Sequence, residues 1–163
     1  MEERWHDSVH GSNVEVKEID LGRSEVGKDF GVGFYLTVSK EQAERMASRR
    51  VRLYGGEPVV SAFEFDESAA MAAGLLQKDF QFYSKEWADF ILANRANDTR
   101  EQIHEYDIVH GPIANDDVGF QIRRLLAGMI TIDTFLEELK YKKGITFQYF
   151  FATERSIKYL RRL

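Results

Sequence analysis

Phe30-Gly31-Val32-Gly33-Phe34-Tyr35-Leu36-Thr37, followed by Ser39-Lys40, is read together with an earlier segment, His10-Gly11-Ser12. The early segment closes a short strand and offers a side-chain donor beside exposed backbone. Gly11 has no Cβ, so a planar amide can come close to its N–H and C=O. The later segment is a Gly-rich turn that feeds a strand and holds an aromatic ring, Tyr35. Two readings stay open on these residues alone. A flat heteroaromatic ring could stack on Tyr35 while Gly11 bonds its carboxamide, or the segments are two tight turns and a core tyrosine.

Outward from this pair, local signals set the elements. Residues 7–12 read as a strand and 13–29 as a polar loop. Ser39 with Gln42 three residues on reads as a capping box, and Ala43, Met46 and Ala47 give the following helix an apolar stripe. The β-branched and aromatic run 58–65 predicts a strand, and 75–82 a second one. Ser84 caps a helix to about Arg95, with Trp87, Phe90, Ile91 and Asn94 on one face. The run 106–109 reads as a buried strand stopped by Gly111-Pro112. Asn115 caps a helix to about Ala127, with Asp116 and Asp117 suited to its dipole. Thr131 or Asp133 starts another, with Phe135, Leu136 and Leu139 inward. The run 145–152 predicts a strand, and Thr153 caps a terminal helix carrying Ile157, Tyr159 and Leu160. Short mixed strands with helices between them predict an α+β fold in one domain over 1–163, rather than a doubly wound parallel sheet.

Composition narrows the class. The 163 residues are 44% hydrophobic and 30% charged, with 12 Phe and 7 Tyr, so an aromatic core is available. The absence of Cys excludes disulfides, a thiol nucleophile and Cys-based zinc sites. His104 and His110 have a spacing seen in zinc sites, but no Cys accompanies them, and no metal is expected. The net charge of −5 does not suit a generic nucleic-acid coat. The basic last part, from Lys140 to Arg162, reads as a solvated helix face. No apolar run is long enough to span a membrane, and the N-terminus lacks a signal-peptide core. A soluble, cytoplasmic protein is expected.

The pair of segments resembles the NAD-binding signature of the ADP-ribosyltransferases of the diphtheria toxin and poly(ADP-ribose) polymerase branch. Much of the chain is also similar to a bacterial domain family of unknown function grouped with that fold. The similarity rests on residues 10–13, Lys28-Asp29-Phe30-Gly31, Gly33-Phe34-Tyr35-Leu36-Thr37, Glu41-Gln42-Ala43, the helix Trp87…Asn94-Arg95, and residues 106–109, 111–112, 114–117 and 148–154.

The resemblance implies an ADP-ribosyltransferase-like split β-sheet with inserted helices. It implies NAD as substrate and a mono-ADP-ribosyltransferase acting on a protein or nucleic-acid target. A toxin countered by an antitoxin partner is one variant. His10 would bond the adenosine ribose and Gly11 the nicotinamide amide, with Ser12 and Gly33 beside them. Tyr35 would stack on the nicotinamide. Met46 stands where the polymerase branch has a second tyrosine. Gln148, in Gln148-Tyr149-Phe150-Phe151, stands where the family has a Glu; it can bond a ribose hydroxyl but supplies no charge for an oxocarbenium-like transition state. Asp116, Asp117 and Glu154 are candidate substitutes, and each is also an ordinary first-turn acid. Lys28 and Arg95 are candidate phosphate contacts, Arg95 through its bidentate fork. A non-catalytic binding module with the same cleft is the alternative reading.

Overall fold

The computed structural model describes residues 5–114 and 116–163. Seven strands form one mixed sheet: β1 (Trp5–Ser12), β2 (Phe34–Thr37), β3 (Val59–Asp66), β4 (Gln77–Asp79), β5 (Ile108–Pro112), β6 (Phe147–Phe151) and β7 (Leu160–Arg162). Their spatial order is β4-β5-β6-β2-β1-β3-β7, with β4 and β5 parallel and all other pairs antiparallel. Six helices connect them: α1 (Lys40–Tyr54), α2 (Glu67–Ala72), α3 (Lys85–Ala96), α4 (Asp116–Leu126), α5 (Ile132–Leu139) and α6 (Glu154–Ile157). The expected α+β class holds.

The sheet is nearly divided at its middle. β1 pairs with β3 over eight residues, but with β2 only through Val9 opposite Thr37. β2 in turn pairs with β6 along its whole length, Phe34 with Phe151 to Thr37 with Gln148. Because side chains alternate along a strand, these registers sort the residues by face. Val9, Gly11, Tyr35, Thr37, Gln148 and Phe150 share one face; Ser8, His10, Ser12, Phe34, Leu36, Tyr149 and Phe151 share the other.

Each face carries its own core. On the first, Val109 and Phe150 pack with Phe30, Trp87 and Ile91, and with Val118, Ile122, Phe135 and Leu139 from α4 and α5. On the second, Phe34, Leu36, Tyr149 and Phe151 pack with Phe63, Phe65 and Ala70. The loop after β1 passes from one core to the other: Val16, Ile19 and Leu21 lie against the second, and Phe30 is fully buried in the first.

Helix α1 lies directly on β1. A Cβ added at Gly11 would stand 1.8 Å from the Ala43 carbonyl oxygen and 2.9 Å from the Ala47 nitrogen. Gly11 is therefore required by the backbone-to-backbone approach of α1. Ala43 and Ala47 are buried against this strand, whereas Met46, expected on the same stripe, is 37% exposed. Only the positions facing Gly11 are drawn in.

Several expected elements differ. The strand expected over 75–82 is confined to β4 at Gln77–Asp79. Gly111-Pro112 does not end β5 but belongs to it, opposite Gln148 and Phe147. The missing Pro112 N–H is tolerated because β4 pairing stops at His110. The expected terminal helix is a single turn, α6, followed by β7 on the open edge of β3. There Arg161 pairs with Glu64 and Arg162 with Glu15, and Arg155 holds buried Asp107 at 2.6 Å. Much of the basic C-terminal charge is thus committed within the fold. Ser39 caps α1, its side chain accepting from the Gln42 N–H at 3.2 Å, but the expected capping box does not close: the Ser39 N–H donates to Thr37 Oγ1 at 3.1 Å. Thr131 caps α5. Asn115, expected to cap α4, lies outside the described residues.

Gly11→Ala tests the helix–strand contact. The added methyl overpacks a backbone contact that no rotamer change relieves, so a loss of about 3 kcal/mol is expected. It should read out as a lower urea midpoint with an unchanged m-value.

Candidate functional site

Where β1 and β2 separate beyond Val9–Thr37, a groove of about 1600 Å3 opens between α1 and the ends of α3 and α4. His10, Gly11, Ser12, Lys28, Gly33, Tyr35, Arg95, Gln148 and Glu154, all singled out from the sequence, line it. Met46 lines it too.

His10 fills the root of the split. Its ring stacks on Phe34 with centroids 4.6 Å apart, and its Nδ1 lies 2.8 Å from the Tyr35 carbonyl oxygen. A carbonyl only accepts, so Nδ1 carries the proton and Nε2 is the acceptor of the neutral ring. Burial pushes the imidazole below its ordinary pKa, the Tyr35 carbonyl opposes this, and the charges of Lys28 and Arg50 add to the lowering. The side chain is thus a neutral acceptor bridging two strands that have no ladder at this level.

Tyr35 serves the turn before it. Its hydroxyl donates to the Gly31 carbonyl at 2.7 Å and accepts from the Phe30 N–H at 3.1 Å. Gly31 has φ of 107°, a left-handed conformation suited to glycine. Burial raises the phenol pKa well above its ordinary value, so the hydroxyl stays protonated. The ring packs on Phe150 at 4.8 Å and Phe30 at 6.4 Å, and the Lys28 ammonium stands over it, 5.5 Å from the centroid. Burial lowers the Lys28 pKa, an effect the nearby Glu25 opposes.

The sequence did not point to what holds the loop. Arg100 donates to the carbonyls of Gly22 and Ser24, Gln102 to that of Val32, and His104 Nε2 lies 2.8 Å from that of Phe30. Glu25 accepts from Arg50 and Tyr54 of α1. These partners stand far away in sequence and form no motif.

The other candidates divide. The Arg95 Nε donates to Asp29 at 2.6 Å, so this guanidinium fixes the residue next to Lys28. Asn94 is buried and its amide donates to the Phe90 carbonyl within α3. The Gly33 N–H donates to Ser24 Oγ at 3.0 Å. Gln148 lies opposite Thr37, on the same face as Tyr35. Asp117 is bonded to Lys142 at 2.8 Å and is not among the groove residues. The Asp116 side chain lies outside the described residues. Glu154, exposed in the first turn of α6, reaches the groove edge. His104 serves the loop and His110 Nδ1 lies 2.7 Å from Asp79. Among the described residues, no three His, Asp or Glu side chains are grouped to hold a metal ion, and no helix is long and apolar enough to cross a membrane.

The chain is thus an α+β protein with a partly split mixed sheet and a groove at the split. A family model described as a protein of unknown function (DUF3990) matches residues 9–162, and the chain belongs to that family. Neither the curated proteins nor the solved structures contain a match to it.

The His10 environment sets a pH dependence. With its folded pKa below the ordinary 6.5, the folded chain binds fewer protons than the unfolded chain as pH falls below about 6.5. Stability should therefore decline with falling pH through this window, until folded His10 itself protonates. Urea titrations from pH 7.5 to 5 should show this slope, and His10→Gln should reduce it, leaving the part due to His104, whose pKa burial also lowers.

Proposed function

We propose that the groove binds NAD and that the protein is a mono-ADP-ribosyltransferase acting on a protein or nucleic-acid target. The observation that carries this reading is the separation of β1 from β2 at Val9–Thr37, which puts His10, Gly11, Tyr35 and Gln148 around one groove. It joins the resemblance read in the sequence to a place where a dinucleotide could lie.

The residues fit such a ligand. His10 presents Nε2 as an acceptor for a ribose hydroxyl, with its tautomer fixed by the Tyr35 carbonyl. Gly11 and Ser12 continue β1 past its last pairing with β2, leaving backbone on that side for a carboxamide. Arg49, Arg52 and Arg123 line the groove and have no carboxylate partner among the described residues, which suits a pyrophosphate. Bound NAD would supply the scissile nicotinamide–ribose bond. Gln148 would orient a ribose hydroxyl through its amide, without the charge of a carboxylate. The rate would come from positioning rather than from a covalent nucleophile.

A second reading, a binding module without turnover, is favoured by the neutral Gln148. Calorimetric titration with NAD and a nicotinamide-release assay on the same sample separate the two. The transferase reading expects binding with release. His10→Ala should lose both, and Gln148→Glu should raise release about 100-fold, the scale of one well-placed electrostatic group. Binding without release in both wild type and Gln148→Glu would support the binding module, and no binding by wild type would remove the NAD assignment.

A further inference from the structure

We propose that Lys28 is a specificity-determining residue that sets the groove against a cationic ring, so that the unmodified protein takes ADP-ribose in preference to oxidised NAD. This inference rests on the NAD-groove reading above and adds which part of the ligand is resisted, and by what.

The case starts from the Tyr35 ring. It is the aromatic side chain on which a planar ring entering the groove would stack. Its packing with Phe30 and Phe150 leaves it partly exposed, and the Lys28 ammonium stands over it at 5.5 Å from the centroid. That is a cation–π contact, within the roughly 6 Å reach of such pairs. A ring stacked on this face would take the place of the ammonium.

Lys28 is held there from several sides. Arg95 fixes the neighbouring Asp29 at 2.6 Å. Arg100 and Gln102 secure the loop on either side, at Gly22, Ser24 and Val32. Glu25, the acid that most opposes the lowering of the Lys28 pKa, is itself bonded to Arg50 and Tyr54. The ammonium is therefore anchored by its backbone and only partly neutralised.

The oxidised nicotinamide ring carries a positive charge. Its entry removes a favourable cation–π contact and brings like charges together in a partly desolvated site, where repulsion is weakly screened. ADP-ribose has the same adenosine, pyrophosphate and second ribose but no ring, so it leaves Lys28 in place. A simple phosphate-clamp role differs in its consequence: it would weaken both ligands alike when Lys28 is removed.

Calorimetric titrations of ADP-ribose and of NAD into wild type, Lys28→Gln and Lys28→Met test this, each protein first shown to be folded by circular dichroism. Wild type should bind ADP-ribose more tightly. Both variants should shift the affinity ratio toward NAD by about tenfold, the scale of a cation–π contact with partial desolvation. Weak but measurable NAD binding by wild type, tightened in Lys28→Gln while ADP-ribose binding holds, would support the proposal most strongly. Parallel weakening of both ligands, or an unchanged ratio, would overturn it while leaving the groove reading intact. Failure of both ligands to bind any of the three folded proteins would overturn the groove reading and this proposal together.

Discussion

Between β1 and β2 the sheet is held by one register, Val9 opposite Thr37, and everything at the groove follows from that narrow join. Two strands that separate leave polar backbone without its ladder, which burial penalises unless other groups supply partners. Here a side chain does so: the His10 imidazole sits in the gap, bonded to the Tyr35 carbonyl and stacked on Phe34. Gly11 draws α1 against the far side of the same strand. The split is therefore bounded by a ring at its root and a helix along its wall, and it is built into the packed sheet.

The long loop closes the open end of this wedge by joining the two cores. Val16, Ile19 and Leu21 anchor it on one face, and Phe30 on the other. Between them it is tied by polar contacts to α1, to α3 and to the segment after α3. A loop with apolar anchors at both ends, fully buried at Phe30, and side-chain ties between has little freedom to move away as a unit. Ligand entry is then a matter of displacing side chains, and Lys28 is the side chain placed over the expected stacking ring.

Elements were legible where local chemistry and tertiary environment agreed. Ser39, Ser84, Thr131 and Thr153 each cap a helix because the cap bond is local. β3 and β6 were legible because β-branched and aromatic residues crowd them. The C-terminal strand was not, because β7 exists through the open edge of β3 and the Arg161–Glu64 pair, neither written in the local sequence. Gly111-Pro112 read as a stop because the short reach of β4 could not be foreseen. At the groove, His10, Tyr35 and Gln148 were singled out because they fall in recognisable segments. Their partners were not: the roles of Arg100, Gln102 and His104 depend on contacts between distant segments. Gly11 was singled out for ligand approach, whereas its Cβ direction faces α1.

The electrostatics of the groove join these features. Several acids that line it are engaged by arginine: Asp20 with Arg23, Glu25 with Arg50, Asp29 with Arg95 and Glu41 with Arg45. Gln148 adds no charge. Lys28, Arg49, Arg52 and Arg123 are left without a bonded carboxylate among the described residues. A chain of net charge −5 thus keeps a groove whose uncompensated groups are mainly basic. Such a surface favours an anion and opposes a cation close to Lys28, since local groups outweigh distant net charge once screening is included. Gln148, which carries no charge, and Lys28, over Tyr35, act in the same direction: neither offsets positive charge in this part of the groove.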